Sequence, residues 1–272
     1  MRPGSLAPLQ GPELPLWPPI LASVGPGSRS VAHAHHAMHL VLALEGRVAV
    51  TLDDGRVRRA CGVLTAPDVP HAIDGAGVTT LLVFLDPESE VGAALLASMR
   101  APVRLLSRQE RDRLVADGVD ALRLMTADGV EWVRRTAALL GGAGLRARRP
   151  VHPRVRKALR LLREDPSRAA SLRALAADVG LSEGRLMHAF TESIGIPLRP
   201  YVLWLRLQRA ASAIVTGQSV SEAAAWAGFS DAAHLSRSFK RAFGMTPSML
   251  VPARASQLVQ ARRRSSAVSH RA

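Results

Sequence analysis

Two copies of one helical pattern constrain this 272-residue chain more than any other feature. Ser171-Leu172-Arg173-Ala174-Leu175-Ala176-Ala177-Asp178-Val179-Gly180-Leu181-Ser182 aligns with Ser219-Val220-Ser221-Glu222-Ala223-Ala224-Ala225-Trp226-Ala227-Gly228-Phe229-Ser230, 48 residues later. Each copy opens on a serine able to cap a helix, and Ser219 with Glu222 has the spacing of a capping box. Positions 172, 175, 176 and 179 match 220, 223, 224 and 227, one apolar stripe at helical period. Gly180 and Gly228 stand where such a helix must end in a left-handed residue. Ser182 and Ser230 are then expected to cap a second helix, buried through Leu186 and Phe190 in one copy and Leu235 and Phe239 in the other. Helix, glycine turn and capped helix make a helix-turn-helix, here twice. Between the copies, Leu198 to Thr216 reads as one helix of about 28 Å. A spacer of that length would set two recognition helices near one turn of B-DNA apart, roughly 34 Å.

Charge falls on the same half. Residues 1–150 carry 17 Arg against 15 Asp+Glu, whereas 151–272 carry 19 Lys+Arg against 7 Asp+Glu. A local excess of +12 points to a polyanion, with nucleic acid first among candidates. The single cysteine, Cys61, excludes an intramolecular disulfide framework and a cysteine-based zinc site, and fits a reducing cytoplasm. No run of about 18 apolar residues occurs, so no membrane span is expected. Met1 to Pro19 lacks the layout of a signal peptide.

From Pro153 to about Arg254 the sequence resembles the AraC/XylS family of bacterial transcription regulators. The most specific stretch is Ala227-Gly228-Phe229-Ser230-Asp231 through Leu235-Ser236-Arg237-Ser238-Phe239-Lys240-Arg241-Ala242-Phe243-Gly244, followed by Thr246-Pro247. Tyr201 and Trp204-Leu205-Arg206-Leu207 match the start of the family's linker helix. Leu250 departs from a usual tyrosine, and Gly184 opens the first recognition helix where bulkier residues are common. With the apolar pairs inward, the outward faces carry Gly184, Arg185, Met187 and His188 in the first copy and Ala232, Ala233, His234, Ser236 and Arg237 in the second. Arg237 can donate bidentately to guanine, Ser236 or His234 can bond a base edge or phosphate, and Ala233 offers a methyl contact to thymine. Lys240 and Arg241 suit phosphates, which set affinity rather than sequence.

The N-terminal half reads as short strands: Leu40 to Leu44, Val48 to Leu52, Arg56 to Arg58 after the Asp53-Asp54-Gly55 turn, Gly62 to Ala66, and Val78 to Leu85. Four histidines crowd into His33-Ala34-His35-His36-Ala37-Met38-His39. His33, His35 and His39 share parity and would share a face of an unbroken strand, while His36 has the opposite parity. Gly27, the histidines and Gly46 are spaced like the first cupin motif, with His39 where the metal-binding branch has glutamate. Gly62, Pro67 and His71 resemble a shortened second motif. His33, His35, His39 and His71 could hold Zn²⁺, Ni²⁺, Cu²⁺ or Fe²⁺, contact an organic effector, or be wall residues. From 88 to 140 three modest helices are expected, with apolar stripes that either join two copies or cover the barrel.

The expected fold class is α+β. It comprises a cupin-like effector-binding β-barrel over 1–86, a helical linker or dimerisation segment over 87–150, an all-α double helix-turn-helix over 151–254, and a disordered basic tail over 255–272. Gly141 to Gly144 and Arg146 to Pro150 read as the interdomain linker. The expected function is a cytoplasmic, sequence-specific regulator that binds adjacent major-groove turns of double-stranded DNA. It would answer to a small effector or a divalent transition metal. The apolar stripes of 88–140 make a homodimer the expectation, and an activator's contact with RNA polymerase is expected beside it, although no residue says whether transcription rises or falls. The competing class is a metal-dependent cupin enzyme with an appended nucleic-acid module, for which no catalytic constellation stands out. A DNA-repair methyl acceptor would need a cysteine cluster that Cys61 alone does not supply.

Overall fold

The computed structural model describes residues 20–140 and 151–250. The N-terminal stretch, the interdomain linker and the basic tail lie outside the described residues.

The N-terminal half consists of two antiparallel sheets. Strands β1 (Ile20–Pro26), β2 (Met38–Ala43), β5 (Gly62–Thr65), β7 (Thr79–Leu85) and β8 (Val103–Leu106) form one, in the order β1-β7-β2-β5-β8. Strands β3 (Val48–Leu52), β4 (Val57–Ala60) and β6 (His71–Asp74) form the other, in the order β4-β3-β6. Val41, Ala43 and Val63 of the first sheet share a buried cluster with Val48, Val50 and Ile73 of the second. The opposite face of the first sheet, including Leu40, Leu42, Leu81, Val83 and Leu85, belongs to the main core. Strand β2 is therefore buried on both faces, which explains why it reads as a continuous apolar run rather than an alternating one.

Strand boundaries follow the sequence reading at β2, β3, β4, β5 and β7, and the Asp53-Asp54-Gly55 turn joins β3 to β4 as expected, pairing Thr51 with Val57. β1, β6 and β8 are not anticipated by the sequence reading, and β8 falls in the segment expected to be helical. β1 is recruited by pairing along all of β7, from Ile20 opposite Leu85 to Pro26 opposite Thr79. Segment 88–140 holds helices α1 (Glu90–Ser98), α2 (Arg108–Val115), α3 (Ala121–Leu124) and α4 (Ala127–Leu139), with β8 inserted between the first two. The apolar stripe of α4, through Trp132, Val133 and Ala137, is buried within the chain, and α1 packs on it.

The C-terminal half is helical: α5 (Pro153–Glu164), α6 (Leu172–Val179), α7 (Glu183–Ile194), α8 (Leu198–Val215), α9 (Val220–Trp226) and α10 (Ala232–Phe243). Both copies of the repeat fold as the pattern predicts. Ser171 and Ser219 cap α6 and α9, the latter with the complete Glu222 capping box. Gly180 and Gly228 adopt φ of +69° and +79°, the left-handed turn that a side chain would oppose. One detail differs from the sequence expectation. Asp231, not Ser230, caps α10 by accepting the His234 N–H at 2.6 Å. Both residues are good caps and adjacent, so composition could not choose; Ser230 instead bonds the Asp231 carboxylate at 3.0 Å.

Candidate nucleic-acid interface and histidine pocket

The helix-turn-helix pairs owe their outward faces to what they bury. Leu186 and Phe190 hold α7 to the core, leaving Gly184, Arg185, Met187 and His188 exposed. Leu235 and Phe239 hold α10, leaving Ala233, Arg237, Lys240 and Arg241 exposed and His234 and Ser236 half-buried. Every residue expected to face DNA thus lies off the packed stripe. The Asp231 carboxylate is held below its usual range by its bond to the His234 N–H, so the cap stays charged. Its partner His234 also meets the Ser230 hydroxyl at 3.1 Å, which fixes that imidazole at the N-terminal end of the outward face. The long helix between the copies is buried through Tyr201, Trp204, Leu205 and Leu207, so it is a rigid spacer packed on both units.

The four histidines converge, though not as parity suggests. Only His39 lies within β2. His33 precedes it in an isolated bridge opposite His71, and His35 lies between strands. All four are buried, and one ring nitrogen from each lies within 4.8 Å of the others. His33 Nδ1 sits 2.8 Å from the Val31 carbonyl, and His71 Nδ1 sits 2.8 Å from the Val69 carbonyl. A carbonyl only accepts, so both Nδ1 atoms carry the proton and both Nε2 atoms present lone pairs. His71 Nε2 meets His39 Nδ1 at 3.3 Å. His33 Nε2, His39 Nε2 and both nitrogens of His35 are buried without a hydrogen-bond partner. Burial pushes His33 down to about 4, helped by nearby His71, and holds His35, His39 and His71 below the ordinary imidazole range. Neutral imidazoles, two of them (His33 and His71) fixed with the proton on Nδ1 and the lone pair on Nε2, are in the state in which imidazole binds a metal.

His36 stands apart from the four. Burial would lower it, but hydrogen bonds to the carboxylates of Asp68 at 2.8 Å and Glu88 at 3.2 Å raise it to about 9. It is a buried cation in the seam between the two halves. Nearby, Arg163 of α5 donates to the Asp86 carboxylate. Burial pushes Asp86 up to about 7, against the pull of that guanidinium.

Sequence reasoning missed the walls of the pocket. Trp204 of α8 stacks on His35 at 5.9 Å and 17°, and Phe243 at the end of α10 lies 5.9 Å from the same ring. Phe84 stacks on His39 at 4.2 Å. A cavity of about 40 Å³ adjoins His33 and His39, with Phe243 and Met245 on its far side. These partners are 45 to 212 positions distant in the chain, beyond the reach of any local pattern.

Two sheets joined to a pair of helix-turn-helix units make an α+β fold. Comparison with known proteins narrows the class. Residues 175–251 match the family described as a helix-turn-helix domain. Residues 175–251 therefore form a helix-turn-helix domain of the AraC type. Unsaturated-fatty-acid-bound ToxT from Vibrio cholerae is similar at a TM-score of 0.55 and 11% identity, over 85% of this chain and 94% of that one. A second ToxT structure, from Vibrio cholerae O395, gives 0.55 and 12%, over 85% and 96%. A regulator with an AraC-type DNA-binding domain from Chromobacterium violaceum is 28% identical over 39% of this chain and 94% of that one, at a TM-score of 0.35. No curated protein sequence matches the chain. Among the described residues no helix is long and apolar enough to cross a membrane.

Proposed function

We propose that the chain is a sequence-specific transcription regulator whose sheet domain receives a divalent transition metal at His33, His35, His39 and His71. The DNA-binding half of this reading rests on the repeated helices α7 and α10, each buried on one face and exposed on the other. Arg237 reads a guanine edge, with His234, Ser236 and Ala233 beside it, while Lys240 and Arg241 neutralise phosphates. Arg185, Met187 and His188 of α7 meet the neighbouring major-groove turn. Two copies on one operator would need a surface other than the stripe of α4, which is buried within the chain.

The observation that carries the metal reading is the set of buried ring nitrogens without partners. An unsatisfied buried polar atom costs about 1–3 kcal/mol, and a metal ion would satisfy several at once. ToxT is bound to an unsaturated fatty acid in one of its structures. An anionic chain of that kind suits this pocket poorly. The cavity of about 40 Å³ has room for only about three waters, and the imidazoles beside it are neutral.

The test is a titration of the full chain against duplexes selected from a random pool and against unselected duplex, at two salt concentrations. Arg237→Ala is expected to lose affinity mainly on the selected sequence. Lys240→Ala should weaken both alike and reduce the salt slope by about 1. Equal losses on both duplexes for Arg237→Ala would remove its base-reading role. Elemental analysis of protein purified without a histidine tag tests the metal. No bound ion, and no thermal shift with Zn²⁺, Ni²⁺ or Cu²⁺, would refute that part.

A further inference from the structure

One route from the second recognition helix to the histidine pocket runs through the backbone of a single residue, Val31. Gly244 ends α10 in a left-handed conformation, φ +67°, and its carbonyl accepts the Val31 N–H at 3.1 Å. The Val31 carbonyl in turn accepts from His33 Nδ1 at 2.8 Å. Contact here is so close that a Cβ on Gly244 would stand 2.6 Å from both His33 Nδ1 and the Val31 carbonyl oxygen. A continuous chain of bonds therefore runs from the C-terminus of α10, through the Val31 peptide, to the imidazole whose Nε2 faces the pocket. A second contact runs parallel to it. His35 is held against Trp204 of α8, and Phe243 of α10 meets Phe84 edge-on at 4.9 Å. Two of the four candidate ligands are thus oriented by the DNA-binding half, while His39 and His71 are fixed by the two sheets.

We propose that a divalent transition ion at these four imidazoles and the docked position of α10 are thermodynamically linked, each strengthening the other. The proposal rests on the metal reading above and adds how the site would be read. His33 can aim Nε2 at the ion only while the Val31 carbonyl holds its Nδ1 proton. The Val31 peptide is held in turn by Gly244. Releasing α10 frees that peptide, so the ion binds the docked form more tightly than the released one. Reciprocity then requires the ion to favour docking by the same factor. The consequence for DNA is geometrical. Arg237, Lys240 and Arg241 stay exposed in the docked arrangement, so an occupied site holds α10 in one pose relative to the sheets without covering its outward face. An ion too deeply buried to touch DNA would act on the helix that does.

The experiment separates this linkage from metal binding itself. Val31→Pro deletes the N–H that reaches Gly244 and alters no ligand; Gly244→Ala presses a methyl group into the same contact. His152→Gln, an exposed histidine at the start of α5, is the control. Affinities for Zn²⁺ and Ni²⁺ are measured by calorimetry on the full chains. Hydrogen exchange of peptides spanning 26–40 and 240–250 is followed with and without Zn²⁺. The expected result is a loss of about tenfold or more in Zn²⁺ affinity for the two seam variants and none for the control. Zn²⁺ should slow exchange in both peptides of the wild-type chain and in neither peptide of His39→Ala. Should a seam variant fail to fold, the wild-type and His39→Ala exchange data decide the question alone. Zn²⁺ binding with unchanged exchange at 240–250, or with seam variants as tight as wild type, would overturn the linkage while leaving the metal site standing. No Zn²⁺ or Ni²⁺ binding at all would remove the metal reading and the linkage with it.

Discussion

Leu186 and Phe190 in the first helix-turn-helix occupy the places that Leu235 and Phe239 occupy in the second, and all four are buried. Outside that common core the two units differ. The exposed face of α7 begins with Glu183 and Gly184 and carries a single arginine, Arg185, with Met187 half exposed at 50%. The face of α10 carries Arg237, Lys240 and Arg241, and its C-terminus is bonded to the segment that bears His33. Shared burial preserves the fold of the motif, while unshared surface assigns the work. On this comparison the second unit carries most of the exposed positive charge and is the one in contact with the histidine pocket.

The comparison breaks most visibly if the two cores are not equivalent. Phe190→Ala and Phe239→Ala should each cost about 3–5 kcal/mol in urea unfolding, because each truncates a fully buried ring. A loss near 1 kcal/mol for either would mean that its unit is not packed as described. Next in size is the acid response of the pocket in metal-free protein. His33 titrates near 4 when folded, against about 6.5 in an unfolded chain. The unfolded state therefore takes up the proton first as pH falls. The contribution to stability is intact above about pH 6.5 and is lost progressively toward pH 4. Unfolding midpoints measured across that window should drop in the wild type and drop less in His33→Gln.

Smaller effects sharpen the division of labour between the units. Arg237→Ala should cost about 1–3 kcal/mol on a selected duplex, and Arg185→Ala clearly less, in the same binding titration. Equal losses would erase the asymmetry drawn from the exposed faces. Smallest is capping. Ser219→Ala removes one half of a complete capping box and should cost about 1 kcal/mol. Ser171→Ala, which caps without a glutamate partner, should cost no more. Thermal unfolding of the two variants side by side checks the order.

The C-terminal half was legible because its information is local. Helical period, the serine caps and the two glycines lie within twelve-residue windows, and tertiary contacts reinforce rather than override them. The histidine pocket was legible in membership but not in construction. Parity grouped His33, His35 and His39 correctly, yet only His39 sits on the strand that the argument assumed. His33 and His35 arrive through backbone bonds to β6 and through ring contacts with α8 and α10. Contacts such as Val31 to Gly244 join residues more than 200 apart, and no periodicity encodes them. His36 shows the same limit from the other side. Its opposite parity excluded it from the cluster, but nothing local announced that Asp68 and Glu88 would keep it as a buried cation.

Backbone protection of a selected duplex tests the central claim most directly, with the full chain bound and cleavage by hydroxyl radical read at single-nucleotide resolution. Two protected backbone segments on one face of the helix, about one turn or 34 Å apart, are the predicted result, with the segment assigned to α10 fading in Arg237→Ala. A single protected segment, or uniform protection that ignores sequence, would contradict the reading of the repeated helices as a paired DNA reader.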